Sequence, residues 1–133
     1  MSRDLIVLPD DTARPLLDAI GSAQRSVRVK MFVLSDPDLI AALIAARGRG
    51  VDVKVMLNAA RRSGETENDA SRMQLVDGGV AVNDSNPAFD LTHEKSMVID
   101  ETVGYVMSLN WETWAENRVE GFALYAVVAI PLG

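Results

Sequence analysis

His93 is the single histidine in a chain of 133 residues, and it stands in the stretch LTHEKSMVID. Lys95, one of three lysines, follows two positions later, and Asp100 seven positions later. With twelve aspartates available, a lone histidine meets Lys at +2 and Asp at +7 in roughly 0.2% of shuffled sequences. Near neutral pH an imidazole is a nucleophile or a base, and an ammonium two residues along a strand shares its face. A metal centre at His93 is a poor fit, because the chain has no second histidine and no cysteine to complete it. No cofactor is expected.

The elements around these residues decide what they meet. Thr92–Ile99 and Thr102–Asn110 are two strand-like runs separated by Asp100-Glu101, which suggests a hairpin. A two-residue turn makes Ile99 face Thr102. Counting back, His93 then lies opposite Ser108, and Lys95 opposite Val106. By alternation His93, Lys95, Ser108 and Asn110 all project from one face, so a nucleophile, a cation and two hydrogen-bonding groups converge. Glu101 is a poor residue for the positive φ of such a turn, and a one-residue slip would move the partners to the other face.

Upstream, the hydrophobic period switches between two and 3.6. Leu5–Leu8 is a short apolar run. Leu16, Leu17, Ile20 and Ala23 repeat at helical spacing after Pro15, and SVRVKMFVL alternates like a strand. DPDLIAALIAARGRG predicts a helix capped by Ser35 or Asp36, with Pro37 in its first turn and Gly48 or Gly50 at its end. VDVKVML predicts a strand, AARRSGE a polar loop, Glu67–Asp77 a helix closed by Gly78-Gly79, and Val80–Val82 a short strand. Strands separated by single helices imply βαβ units. The fold expected is therefore α/β: one domain over residues 1–133, with a mixed, largely parallel sheet flanked by helices on both faces.

Composition narrows the function classes. With 48% hydrophobic and 24% charged residues the chain is an ordinary globular sequence. The net charge of −6 argues against a surface built for indiscriminate phosphate-backbone binding. The absence of cysteine fits a reducing compartment, the first residues lack a signal-peptide pattern, and no apolar run reaches membrane-spanning length. The expected location is cytoplasmic.

The segment HEKSMVID is similar to the H-x-K-x-x-x-x-D signature of the phospholipase D superfamily. MSLNW resembles that family's G-S-x-N segment and NRVEG its downstream acidic position, and upstream SVRVKMF before a helix and RGRGVDVKVML after it match the family's order. The resemblance spans nearly the whole chain and implies a metal-independent phosphodiesterase, with roles assigned residue by residue. His93 attacks phosphorus and forms a phosphohistidine; Lys95, Ser108 and Asn110 hold the non-bridging oxygens. Glu120 orients the imidazole, with Glu112 and Glu116 as neighbouring candidates. Asp100, counted with the catalytic set, mainly supports local structure. A cation with neutral donors can stabilise the equatorial oxygens of a transferring phosphoryl group. A carboxylate behind the ring fixes its tautomer.

The resemblance also implies a second histidine from a matching half, supplied by a homodimer or by a second half-domain, and no transmembrane segment is expected. The substrate is a phosphodiester, phospholipid or nucleic acid, with transfer to an alcohol open beside hydrolysis. Arg61, Arg62 and Trp111 are candidate substrate contacts; the arginines serve equally as a solvated loop, and Trp111, Trp114 and Phe89 as packing. Two departures stand out: Met107 replaces the glycine usual before the serine, and the chain lacks the C-terminal helical segment expected to cover the sheet. A non-catalytic scaffold or binding domain, or a phosphatidyltransferase half-domain, is the alternative.

Overall fold

The computed structural model describes residues 4–8, 14–58, 68–84, 95–107 and 125–132. Along the chain come β1 (Asp4–Leu8), α1 (Arg14–Ser22), β2 (Ser26–Met31), α2 (Pro37–Gly48), β3 (Asp52–Leu57), α3 (Asp69–Asp77) and β4 (Ala81–Asp84). Three further strands follow: β5 (Lys95–Ile99), β6 (Val103–Met107) and β7 (Tyr125–Pro131).

Local sequence explains the helix ends. The Asp36 carboxylate accepts the N–H groups of Asp38 and Leu39 at 2.9 and 3.1 Å, and Pro37 begins α2 where its missing N–H costs nothing. Leu39, Ile40, Leu43 and Ala46 turn inward, and Gly50, at φ +91°, takes the chain away from the helix. The expected start of α3 at Glu67 moves to Asp69, behind Asn68 at the cap position.

The described strands form one sheet in the order β1-β7-β6-β5-β2-β3-β4, the expected mixed α/β sheet. Two particulars differ from expectation. Parallel pairing is confined to β2–β3 and β3–β4, and the other four pairings are antiparallel. The tight β5–β6 connection is one reason, since a short turn reverses the chain.

The described helices also pack on one face rather than on both. α2 packs against α1 and α3. Their buried residues share one core with Val27, Val29, Val53, Val55 and Met97 of the sheet. The connections β1 to β2, β2 to β3 and β3 to β4 all step the same way across the sheet. Right-handed crossovers then lay every helix on the same side. Among the described residues, the opposite face of the sheet carries the exposed Lys30 and Lys54, and Val106 at 56% exposure.

The hairpin departs from the expected register by one residue. Asp100 and Glu101 both adopt positive φ, +52° and +59°, and Thr102 N–H donates to Ile99 O at 2.9 Å. The turn is tight, and Glu101 accepts the left-handed backbone. Yet Ile99 pairs with Val103 and Ser96 with Val106. Thr102 is an extra residue: its carbonyl accepts from Leu132 N–H at 2.8 Å, on the side of β7. Lys95 is therefore not opposite Val106.

Candidate active site

Lys95 is the first residue of β5 and pairs with Met31, the last of β2. Because these strands are antiparallel, Lys95 lies at the carboxyl end of the parallel strands, the edge where open α/β sheets bind ligands. Burial along β5 alternates, and Lys95 shares the covered face with Met97 and Ile99. A lysine thus occupies a position that alternation reserves for apolar side chains, and it is only 8% exposed. Its Nζ lies 5.5 Å from the centroid of the Phe32 ring, within cation–π range. Burial holds its pKa below the ordinary lysine value, because desolvation penalises the ammonium. A lysine buried at this edge of the sheet is a candidate functional position.

Asp100 sits at the other end of β5. Its Oδ1 accepts the backbone N–H groups of Gln24, Arg25 and Ser26 at 3.1, 2.6 and 2.9 Å, and its Oδ2 accepts Gln24 N–H at 3.0 Å. Asp100 N–H donates to Ser26 O at 2.8 Å, and Arg25 Nη2 donates to Asp100 O at 2.8 Å. The residue ties the β5–β6 turn to the entry of β2. Burial alone would raise the Asp100 pKa, but the hydrogen bonds from Ser26, Arg25 and Gln24 and the Arg25 charge outweigh it. The net direction is downward. At the strand rise, five residues separate Asp100 from Lys95 by about 17 Å, so the structure does not bring these two together.

His93, Ser108, Asn110, Glu120, Arg61, Arg62 and Trp111 lie outside the described residues, as do Phe89 and Trp114. Met107, in the place of a glycine, is buried within the core. Among the described residues no three His, Cys, Asp or Glu side chains gather in a way that would hold a metal ion. No helix among them is long and apolar enough to cross a membrane.

Residues not foreseen from sequence line the same edge. Asn68, 3% exposed, donates from Nδ2 to Phe32 O at 2.9 Å and to Asn58 O at 3.0 Å. Its Oδ1 accepts Leu34 N–H at 3.0 Å. One buried amide therefore stitches together the segments after β2 and β3, the first of which carries Phe32. The one local signal was a polar residue just before α3, and that reads as an ordinary helix cap.

Residues 16–124 match the family described as cardiolipin synthase, PLD-like domain. The chain belongs to the phospholipase D-like family. It is 29% identical over 111 residues to a phospholipase D of Rickettsia bellii, covering 83% of this chain and 53% of that protein. It is 35% identical over 113 residues to a mitochondrial cardiolipin hydrolase of Xenopus tropicalis, covering 80% and 49%. The chain thus spans about half the length of these two relatives. Among solved structures it resembles Nuc, a phospholipase D family member from Salmonella typhimurium. The TM-score is 0.80 at 28% identity, over 98% of this chain and 83% of that one. NucT from Helicobacter pylori shares the fold at TM-score 0.74 and 20% identity, over 96% and 84%. Both folds agree with the mixed sheet and helices described above.

Proposed function

We propose that the chain is a metal-independent phosphodiesterase half-site working through His93. The observation that carries this reading is Lys95: a buried cation at the ligand-binding edge of the sheet, two residues after the lone histidine, in a chain of this family. Nitrogen of His93 attacks phosphorus, a P–N bond forms, and the alcohol leaves with a proton from a second acid. Water then attacks the phosphohistidine, gives up a proton to that same group, and releases the monoester and free imidazole. Lys95 stabilises the non-bridging oxygens together with Ser108 and Asn110, a grouping that rests on the family resemblance and not on the hairpin register, and Glu120 orients the imidazole. Asp100 supports the strand from its far end.

One histidine cannot be both nucleophile and acid. A second copy related by a two-fold axis, or a second matching half, supplies the other imidazole. The homodimer requires nothing further of the sequence. The relatives' names include both phospholipase D and cardiolipin hydrolase, and the Salmonella neighbour is named Nuc. Phospholipid and nucleic acid are accordingly the two substrate classes, with Arg61, Arg62 and Trp111 as contacts. The absence of cysteine supports a cytoplasmic site of action. The testing experiment is turnover of bis(p-nitrophenyl) phosphate by the wild type and by His93→Asn. Turnover lost in the variant supports the reading, and equal turnover overturns it.

A second reading has its own observation. Met107 is buried in the core at the end of β6, where the family usually has glycine. A side chain there suits a domain that keeps the fold as a scaffold without turnover. Absence of turnover by a folded wild type would favour it.

A further inference from the structure

We infer that Phe32 and Asn68 are positioning residues for Lys95: the Asn68 amide fixes the backbone that carries Phe32, and the Phe32 ring holds the Lys95 ammonium at the edge of the sheet. This rests on the reading that Lys95 contacts the phosphoryl group.

The chain around Phe32 does not follow strand rules. From Met31 to Leu34 four successive residues are buried, so alternation ends where β2 ends. A short apolar segment leaving a sheet needs other partners for its backbone. Asn68 provides them from more than thirty residues away: it brackets Phe32 by accepting from Leu34 N–H and donating to Phe32 O. Its third bond, to Asn58 O, anchors the clamp to the end of β3. Asn68 stands at the cap position of α3, yet its side chain makes no capping bond there. An asparagine at that place ordinarily serves its own helix. Here the whole amide is committed to the neighbouring segments.

No ordinary substitute reproduces the pattern. Two N–H donors and one carbonyl acceptor are in use; aspartate lacks the donors, and leucine lacks all three. The ring it holds has a specific use. Lys95 reaches the covered side of the sheet on a long, flexible stem, and a flexible ammonium is a poor transition-state contact. The face of Phe32, 5.5 Å from Nζ, gives that ammonium a defined place at the carboxyl end of β2. The lowered pKa of Lys95 is consistent with a dry, enclosed position.

The scarcity of lysine makes this testable. Labelling the ε-carbons yields three lysine signals, from Lys30, Lys54 and Lys95, and Lys95→Met assigns one of them. The ring current of Phe32 should move the Lys95 ε-proton signal upfield of the other two. Phe32→Leu should return it to their position and lower kcat about tenfold to a hundredfold, with KM changed less than twofold, because misplacement by an ångström is costly. Phe32→Tyr should restore both. Asn68→Ala and the milder Asn68→Asp should shift the Lys95 signal in whichever variant folds. A merely structural Asn68 would lower Tm and leave that signal in place. An unshifted signal in Phe32→Leu, or in the folded Asn68 variants, overturns the inference, as does a shifted signal with unchanged kcat. A wild type that turns nothing over, yet shows the ring-current shift and its loss in Phe32→Leu, removes the catalytic reading and leaves the geometric one standing.

Discussion

Replacing Asp100 tests whether the last letter of the motif serves structure or chemistry. Three successive backbone N–H groups, from Gln24, Arg25 and Ser26, converge on its carboxylate at 2.6–3.1 Å. A hydrogen bond to a charged group is worth about 1.5–3 kcal/mol net. These bonds are partly open to solvent, so water replaces some of what is lost. The expected cost of Asp100→Ala is therefore roughly 2–4 kcal/mol in all, below the simple sum. The alanine would also have to hold φ near +52°, which costs about 1 kcal/mol more. Asp100→Asn keeps a side chain that tolerates this backbone and one oxygen acceptor, so about half the loss is expected. Urea denaturation by circular dichroism measures the order: wild type, then Asn, then Ala. The pH dependence has a definite sign. A carboxylate with a folded pKa below its unfolded value stabilises fully above the ordinary aspartate pKa. That contribution disappears as pH falls through the folded value. The gap between wild type and Asp100→Asn should hold from neutral pH to about pH 5, begin to shrink near about pH 4, and close only once the pH is below the lowered folded value. Folded Asp100→Asn should keep turnover within a few-fold of wild type, since the carboxylate is about 17 Å along the strand from Lys95. Asp100→Ala within 0.5 kcal/mol of wild type, or a hundredfold loss of kcat at unchanged stability, would refute the structural assignment.

His93→Asn should abolish phosphodiester hydrolysis while leaving the circular dichroism spectrum unchanged; near wild-type rates in the purified variant would end the proposed mechanism. Lys95→Met should lower kcat by about 10²–10³ while stability holds or rises by about 1–2 kcal/mol, since a buried ammonium gives way to an apolar chain. That gain should be largest near neutral pH. It should shrink as pH rises from the lowered folded pKa towards the ordinary lysine range, where the unfolded state also loses its proton. Turnover should be unaffected by EDTA, and loss on chelation with recovery on adding a divalent cation would point to different chemistry. Mixing an excess of His93→Asn subunits into the wild type should depress turnover below simple dilution if two copies share a site, because a mixed site holds a single imidazole, and a fully active monomer by light scattering would exclude sharing.

The parallel half of the fold was legible because its signals are local. Asp36, Pro37 and Gly50 bracket α2 within a residue or two of where it lies. The strands SVRVKM and DVKVML announce themselves by alternation. The hairpin register was not legible, since what fixes it is the Thr102 carbonyl meeting Leu132, thirty residues away. The placing of the helices on one face depends on the direction in which strands are added, which no window of sequence contains. Within the candidate site, the scarcity of His93 and Lys95 and their spacing singled out the segment in which Lys95 is buried at the carboxyl end of the parallel strands. Asn68 escaped because its partners at Phe32, Leu34 and Asn58 are distant in sequence, and a polar residue before a helix looks like a cap. Phe32 passed for an ordinary strand residue.

The interval between Lys95 and Asp100 equals the length of β5, and that gives the motif a metrical meaning. One end of the strand is pinned to the backbone of Gln24–Ser26, and the other delivers an ammonium over Phe32. The four residues between them work as a ruler. Removing or adding one would leave the pinned end in place and turn the lysine to the opposite side of the sheet. Their identities can vary among side chains that suit a strand, but their number cannot. A search for such sites should therefore tolerate substitution inside the interval and no change in its count, because one letter of the motif places a buried ammonium and another marks a distance.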